Sequence, residues 1–247
     1  MRLALGLAVL TLVAAPVFAF DPAAMTDAER EAFGAQVRAY LLEHPEVLIE
    51  VSDALQAKQA AEVAQGDAGL IAANAAQIFS DGASFVGGNP EGNITLVEFL
   101  DYRCGYCRKA HADVAELIRS DGNIRYVVKE FPILGDESLT ASRFAIATLR
   151  VAGPEAYAKV NAGFFESFRG EVTDATLQAY AESLGLDAAP ILAAMNSEDV
   201  TKVIDDNHRL AQILQISGTP TFVLGDQMMR GFVPLDMMRT VVAEERG

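Results

Sequence analysis

Only two cysteines stand among the 247 residues, at positions 104 and 107, and a pair so close makes a poor staple. A stabilising disulfide works by closing a long loop of the unfolded chain, and this pair closes almost none. Histidine is nearly as scarce, with only His44, His111 and His208. A closed zinc site needs four ligands, which one C-x-x-C and three scattered histidines do not supply by their spacing. Positive charge is also short: 19 Lys and Arg against 34 Asp and Glu leave a net charge of −15. So acidic a surface argues against nucleic acid and anionic membrane as partners, since both are polyanions. No long apolar run follows residue 20, and neither an internal repeat nor a low-complexity linker is visible. Length and apolar content suit one good core with an appendage rather than two large domains.

What is present begins with a targeting pattern. Arg2 gives a positive start, Leu3 to Val13 is apolar, and Ala14-Ala15-Pro16-Val17-Phe18-Ala19 ends in a small-residue cleavage site. That order is expected of a secretory signal peptide over residues 1–19, the run being short for a membrane span. Export implies an oxidising space such as a bacterial periplasm, where a close cysteine pair serves chemistry rather than stability.

Residues 20–80 read as Ala-rich helices. Thr26 and Glu29 have capping-box spacing, and Phe33, Val37 and Tyr40/Leu41 follow at helical intervals. His44-Pro45 breaks the run, and Val47, Leu48, Val51 and Leu55 mark the face of a second helix. These helices either fold onto the main domain or form a stalk that meets other copies of the chain. The main domain is expected over 81–247. Ser84 to Gly87 suits a short edge strand, Ile94 to Leu100 a buried strand, and a helix should run from about Cys104 to Arg119. Ile124 to Phe131 is a second strand, and a helical insertion spans about 137–215. Thr221 to Leu224, a turn towards Met228-Met229 and a helix from Pro234 to Glu245 close the chain.

Cys104-Gly105-Tyr106-Cys107 lies where a strand gives way to a helix. Amide N–H groups and the helix dipole stabilise a thiolate there, so Cys104 is expected to be the exposed nucleophile. Cys107, one turn in and more buried, would resolve the mixed disulfide. His111, four places further on the same helix face, leaves a soft-metal site open, with Met228 as a further donor. Far along the chain, Thr219-Pro220 precedes a strand and reads as a cis-proline loop facing the cysteines. Its backbone would take an incoming peptide as an added strand.

The ordered pair of motifs, with a helical insertion between them, resembles the DsbA-like family of exported disulfide oxidoreductases over about residues 83–246. Tyr40-Leu41-Leu42-Glu43-His44-Pro45-Glu46-Val47-Leu48 and Val97-Glu98-Phe99-Leu100-Asp101-Tyr102 look most like its suppressor-of-copper-sensitivity C branch. The resemblance implies an α/β thioredoxin-like fold with a helical insertion and an N-terminal helical extension. It also implies that Glu98, six places before Cys104, helps move protons; the alternative is an ordinary residue at a sheet edge. Lys129 is a weaker candidate for the same network. Strongly oxidising members carry Pro-His between the cysteines. Gly105-Tyr106 brings no positive charge, which implies a less extreme thiolate and a milder oxidant. Gly-Tyr together with Thr-Pro resembles exported disulfide isomerases, which are oligomeric.

The sequence therefore points to a cofactor-free enzyme exchanging disulfides with exported client proteins, as isomerase, oxidase or both. A membrane redox partner and a homo-oligomer through residues 20–80 are the expected partners. Two other readings stay open: a copper-binding protein using the same thiols, and an assembly module in which the thiols are incidental.

Overall fold

The computed structural model describes residues 25–247, so the expected signal segment lies outside the described residues. The chain divides into two units, residues 1–58 and 59–247. In the first, α1 (Asp27–Glu43) starts as its capping box requires, with Glu29 N donating to Thr26 Oγ1 and Thr26 N donating to Glu29 Oε2. Helix α2 (Glu46–Ala73) follows directly on Pro45, whose fixed φ and missing N–H suit the residue next to a helix start. No residue of α1 is buried, and Phe33, Tyr40, Leu42, Leu48, Ile49, Val51 and Leu55 are all more than half exposed. From Gln59 on, the same helix belongs to the second unit. Asp67 takes a bidentate ion pair from Arg230 at 2.6 and 2.8 Å, while Ile71 is buried.

A five-stranded sheet with order β1-β3-β2-β4-β5 organises the second unit. After α3 (Ala75–Phe79), β1 (Phe85–Gly88) pairs antiparallel with β3 (Ile124–Glu130). Strand β2 (Ile94–Leu100) runs parallel to β3 and antiparallel to β4 (Thr221–Leu224), which turns into β5 (Gln227–Arg230). Successive side chains of a strand face opposite sides, so the two faces carry separate cores. Ile94, Leu96, Leu100, Tyr126 and Val128 face one core, shared with α4 (Gly105–Asp121), the insertion helices and α10 (Leu235–Arg246). Val97, Phe99 and Val127 face the other, with Ile71, Ile78 and the end of α9 (Glu198–Ile213).

The insertion between β3 and β4 comprises α5 (Asp136–Ala152), α6 (Pro154–Glu166), α7 (Asp174–Ser183), α8 (Ala188–Ala194) and α9. Its helices break at Gly153-Pro154, Gly170 and Gly185, where glycine takes positive φ, and at Asn196 before α9. Helix α4 ends at Gly122 with φ of 71°, the left-handed cap that glycine takes without a Cβ clash. Among the described residues no helix is long and apolar enough to cross a membrane.

Candidate active site

Cys104 is the N-cap of α4, extended at φ −75° and ψ 119°, so its sulfur stands at the amide end of the helix. Both cysteines are free thiols. Three sets of donors pull the Cys104 thiol down to about 5 against the opposing effect of burial. The largest is the Cys107 thiol beside it, followed by Thr219 and the backbone amides of Cys107 and Tyr106. Cys107 is fully buried, and burial pushes its thiol far up, as do the Cys104 sulfur and the charge of Glu98. One sulfur is thus a thiolate near neutral pH and the other holds its proton.

The cis-proline loop meets this pair. The Thr219–Pro220 bond is cis, and Cys104 Sγ lies 3.2 Å from the Thr219 carbonyl, to which it donates in its protonated thiol form. Thr221 Oγ1 bonds the Gly218 carbonyl at 2.8 Å, and Gly231 N donates to the Pro220 carbonyl at 2.8 Å, which fixes the loop at both ends. Contact with Thr219 also corrects one expectation: Cys104 is only 8% exposed, where an exposed sulfur was predicted. Its neighbour Tyr106 is the exposed residue of the motif, at 65%.

Glu98 lies on the central strand, not at a sheet edge, and on the face that carries α4. It is 3% exposed, and its carboxylate accepts from the Tyr126 hydroxyl. Burial raises its carboxyl from the ordinary 4.5 to about 7, with the nearby Cys104 and Glu130 charges adding to the rise. Lys129 is not part of this network. It pairs with Phe99 in the parallel register, so its side chain faces the opposite core, where Nζ bonds Asp81 Oδ2 and the Gln77 carbonyl, both at 2.6 Å. His111 is engaged too, with Nε2 3.3 Å from Glu166 Oε1 and the ring against Phe165. Among the described residues no three His, Cys, Asp or Glu side chains gather as metal ligands.

Two residues that sequence reasoning passed over hold the active-site loop. Buried Asp101 accepts from Arg103 N at 2.7 Å, Ile133 N at 2.8 Å and Leu134 N at 3.1 Å, tying the loop to the segment after β3. An Asp directly after a strand and directly before a turn signals the first of these bonds but not the other two. Buried Glu130 accepts from Tyr102 and Tyr157 hydroxyls and from Ser142 Oγ, linking loop, sheet and insertion. Arg103 adds an outer tie through Glu137 at 2.9 Å and the Gly170 carbonyl at 3.1 Å.

A thiolate at a helix start, a buried second thiol, a cis-proline loop against the first sulfur and a carboxyl beneath define a thioredoxin-fold dithiol site. The sequence matches the DSBA-like thioredoxin domain over residues 95–243, and the chain belongs to that family of thiol–disulfide oxidoreductases. Residues 29–62 match the N-terminal domain of the copper resistance protein ScsC. Among solved structures, a thioredoxin-like oxidoreductase of Silicibacter pomeroyi is 36% identical, covering 69% of this chain and 96% of that one, with a TM-score of 0.64. BcfH of Salmonella enterica Typhimurium is 27% identical over 89% of this chain and 97% of its own, TM-score 0.70. Proteus mirabilis ScsC in a transitional conformation is 25% identical over 90% and 98%, TM-score 0.66. The curated relatives are Na(+)/H(+) antiporters, of whose length the chain spans about a quarter. With NhaA 1 of Salinispora arenicola it is 27% identical over 157 residues, 64% of this chain and 24% of that protein.

Proposed function

We propose that this oxidoreductase exchanges disulfides with exported proteins in the periplasm, as an isomerase or as a mixed oxidase and isomerase. The observation that carries the reading is Cys104 Sγ at the start of α4, 3.2 Å from the Thr219 carbonyl of the cis-proline loop, with protonated Cys107 behind it. The Cys104 thiolate attacks a client disulfide in line, forming a mixed disulfide and releasing one client thiolate. In isomerisation that freed thiolate attacks elsewhere in the client, and Cys104 leaves reduced. In escape, Cys107 gives up its proton and attacks the Cys104 sulfur of the mixed disulfide, closing the Cys104–Cys107 disulfide and releasing the client reduced. Oxidation runs the other way: a client thiolate attacks Cys104 of the oxidised pair, Cys107 leaves and takes up a proton, and a second client thiolate closes the client disulfide and frees Cys104. In escape the Cys107 proton needs an acceptor. Glu98, on the same face and coupled to both sulfurs, is the group to take that proton. Client backbone adds as a strand along Thr219, with Pro220 closing that edge.

An isomerase needs its pair reduced, so a membrane redox partner is part of the reading. Residues 1–19 serve as the export signal. The exposed apolar side chains of residues 27–58 are the surface through which copies of the chain assemble, presenting several dithiol sites to one misfolded client. Refolding of a scrambled-disulfide test protein in glutathione buffer, against a Cys104→Ser control, tests the reading. Recovery dependent on Cys104 supports isomerisation; rapid oxidation of a reduced client instead makes the protein an oxidase. Absence of both refutes the exchange function.

A further inference from the structure

Glu98 is not the only carboxyl buried on its face of the sheet. In the parallel register Glu98 lies opposite Val128 and Glu130 opposite Leu100, so the two acids share one face of adjacent strands, two residues apart along the ladder. That places them roughly 7–8 Å apart at the backbone. Their surroundings differ in one respect. Glu98 has a single hydroxyl donor, Tyr126. Glu130 has three: the Tyr102 and Tyr157 hydroxyls on Oε1 and Ser142 Oγ on Oε2, with Asn161 Nδ2 donating in turn to Tyr102 at 3.1 Å. Hydrogen bonds donated to a carboxylate favour its charged form, so the pair sorts into one charge holder and one proton holder.

We infer that Glu130 is a positioning residue for the exchange reaction, a fixed buried negative charge that strengthens the hold of Glu98 on a proton and so sets the pH at which Glu98 trades a proton with Cys107. This inference rests on the exchange reading and on Glu98 as proton carrier. The charged and titratable groups facing the pair are Tyr126 from β3, Cys104 and Cys107 from α4, Asp101 and Tyr102 from the active-site loop, and Tyr157 from α6. Lys129, on the other face, offers no compensating cation. Burial lifts both carboxyls towards about 7, which makes a like charge nearby decisive for which of them ionises first.

The test is a carbon-13 carboxyl titration of the full reduced chain, read beside the pH dependence of exchange. Glu98→Gln identifies the Glu98 signal and should erase the pH step near neutrality. Glu130→Gln should move the Glu98 midpoint and that step to lower pH together, by on the order of one to two pH units. Tyr157→Phe, which removes one donor and keeps the ring, should move both in the same direction by less, and carries the test if Glu130→Gln fails to fold. A Glu98 midpoint that stays put in a folded Glu130 or Tyr157 variant overturns the inference, even if stability falls. A pH step that persists in Glu98→Gln refutes Glu98 as proton carrier, while the carboxyl titration still decides the coupling.

Discussion

Residues 27–58 and residues 59–247 contain the same kinds of side chain and use them in opposite ways. Leu48, Ile49 and Val51 are 60–65% exposed on α2, whereas Ile71, on the same helix, is 3% exposed in a core with Ile78 and Phe99. Both segments carry apolar side chains, and an apolar side chain on a helix demands cover without naming its source. The second region finds that cover within its own chain and can hold a dithiol site in fixed geometry. The first leaves its apolar side chains exposed, and these form the surface proposed above for assembly.

The largest effect should come from breaking the site while sparing the helices. Cys104→Ser is expected to drop exchange to the uncatalysed background, with the circular dichroism spectrum and oligomeric state unchanged. Next, Phe99→Ala should cost about 3–5 kcal/mol in urea unfolding, because it empties a packed core, while Leu48→Ala should stay within about 0.5 kcal/mol per chain in dilute solution. Equal costs would mean that the first region is buried as well.

Acidity separates the regions further. Between its ordinary value of 4.5 and about 7 in the fold, Glu98 keeps a proton that the unfolded chain has released. Its contribution to stability is therefore whole below about pH 4.5 and lost as pH rises through 7, on the order of 3 kcal/mol. Cys104 in the reduced protein works the other way: its lowered thiol adds stability above pH 9 that is lost as pH falls through about 5. Glu98→Gln should remove only the first slope, so the stability of the variant, read from urea unfolding between pH 5 and 8, should gain on the parent as pH rises. Leu48→Glu with Val51→Glu should lower the sedimenting mass without moving the Cys104 thiolate titration at 240 nm. Smallest of all, Thr26→Ala should cost α1 about 1 kcal/mol, as loss of an N-cap does, and leave exchange intact.

Much of the site was legible because it is local. The C-x-x-C at a strand–helix junction needs only the apolar run 94–100 and the helix that follows, and the Thr-Pro signal needs only its own strand. The sequence reading puts Lys129 on the wrong side because facing is set by register: one residue along β3 turns a side chain from the dithiol core to the core below the sheet. Asp101 and Glu130 escaped because their partners lie up to 33 positions away, at Leu134 for one and Tyr102 for the other. A lone acid at the end of an apolar strand gives no sign of three hydroxyls converging on it.

By itself the sequence determined which thiols stand at a helix start and where most helices and strands break, since C-x-x-C, cap, turn and alternation are properties of short segments. Tertiary structure decided which acids lie under the sulfurs, how far Cys104 is covered, and which half of α2 is buried. Those depend on burial and on distances between segments, and both exist only once the chain has closed on itself.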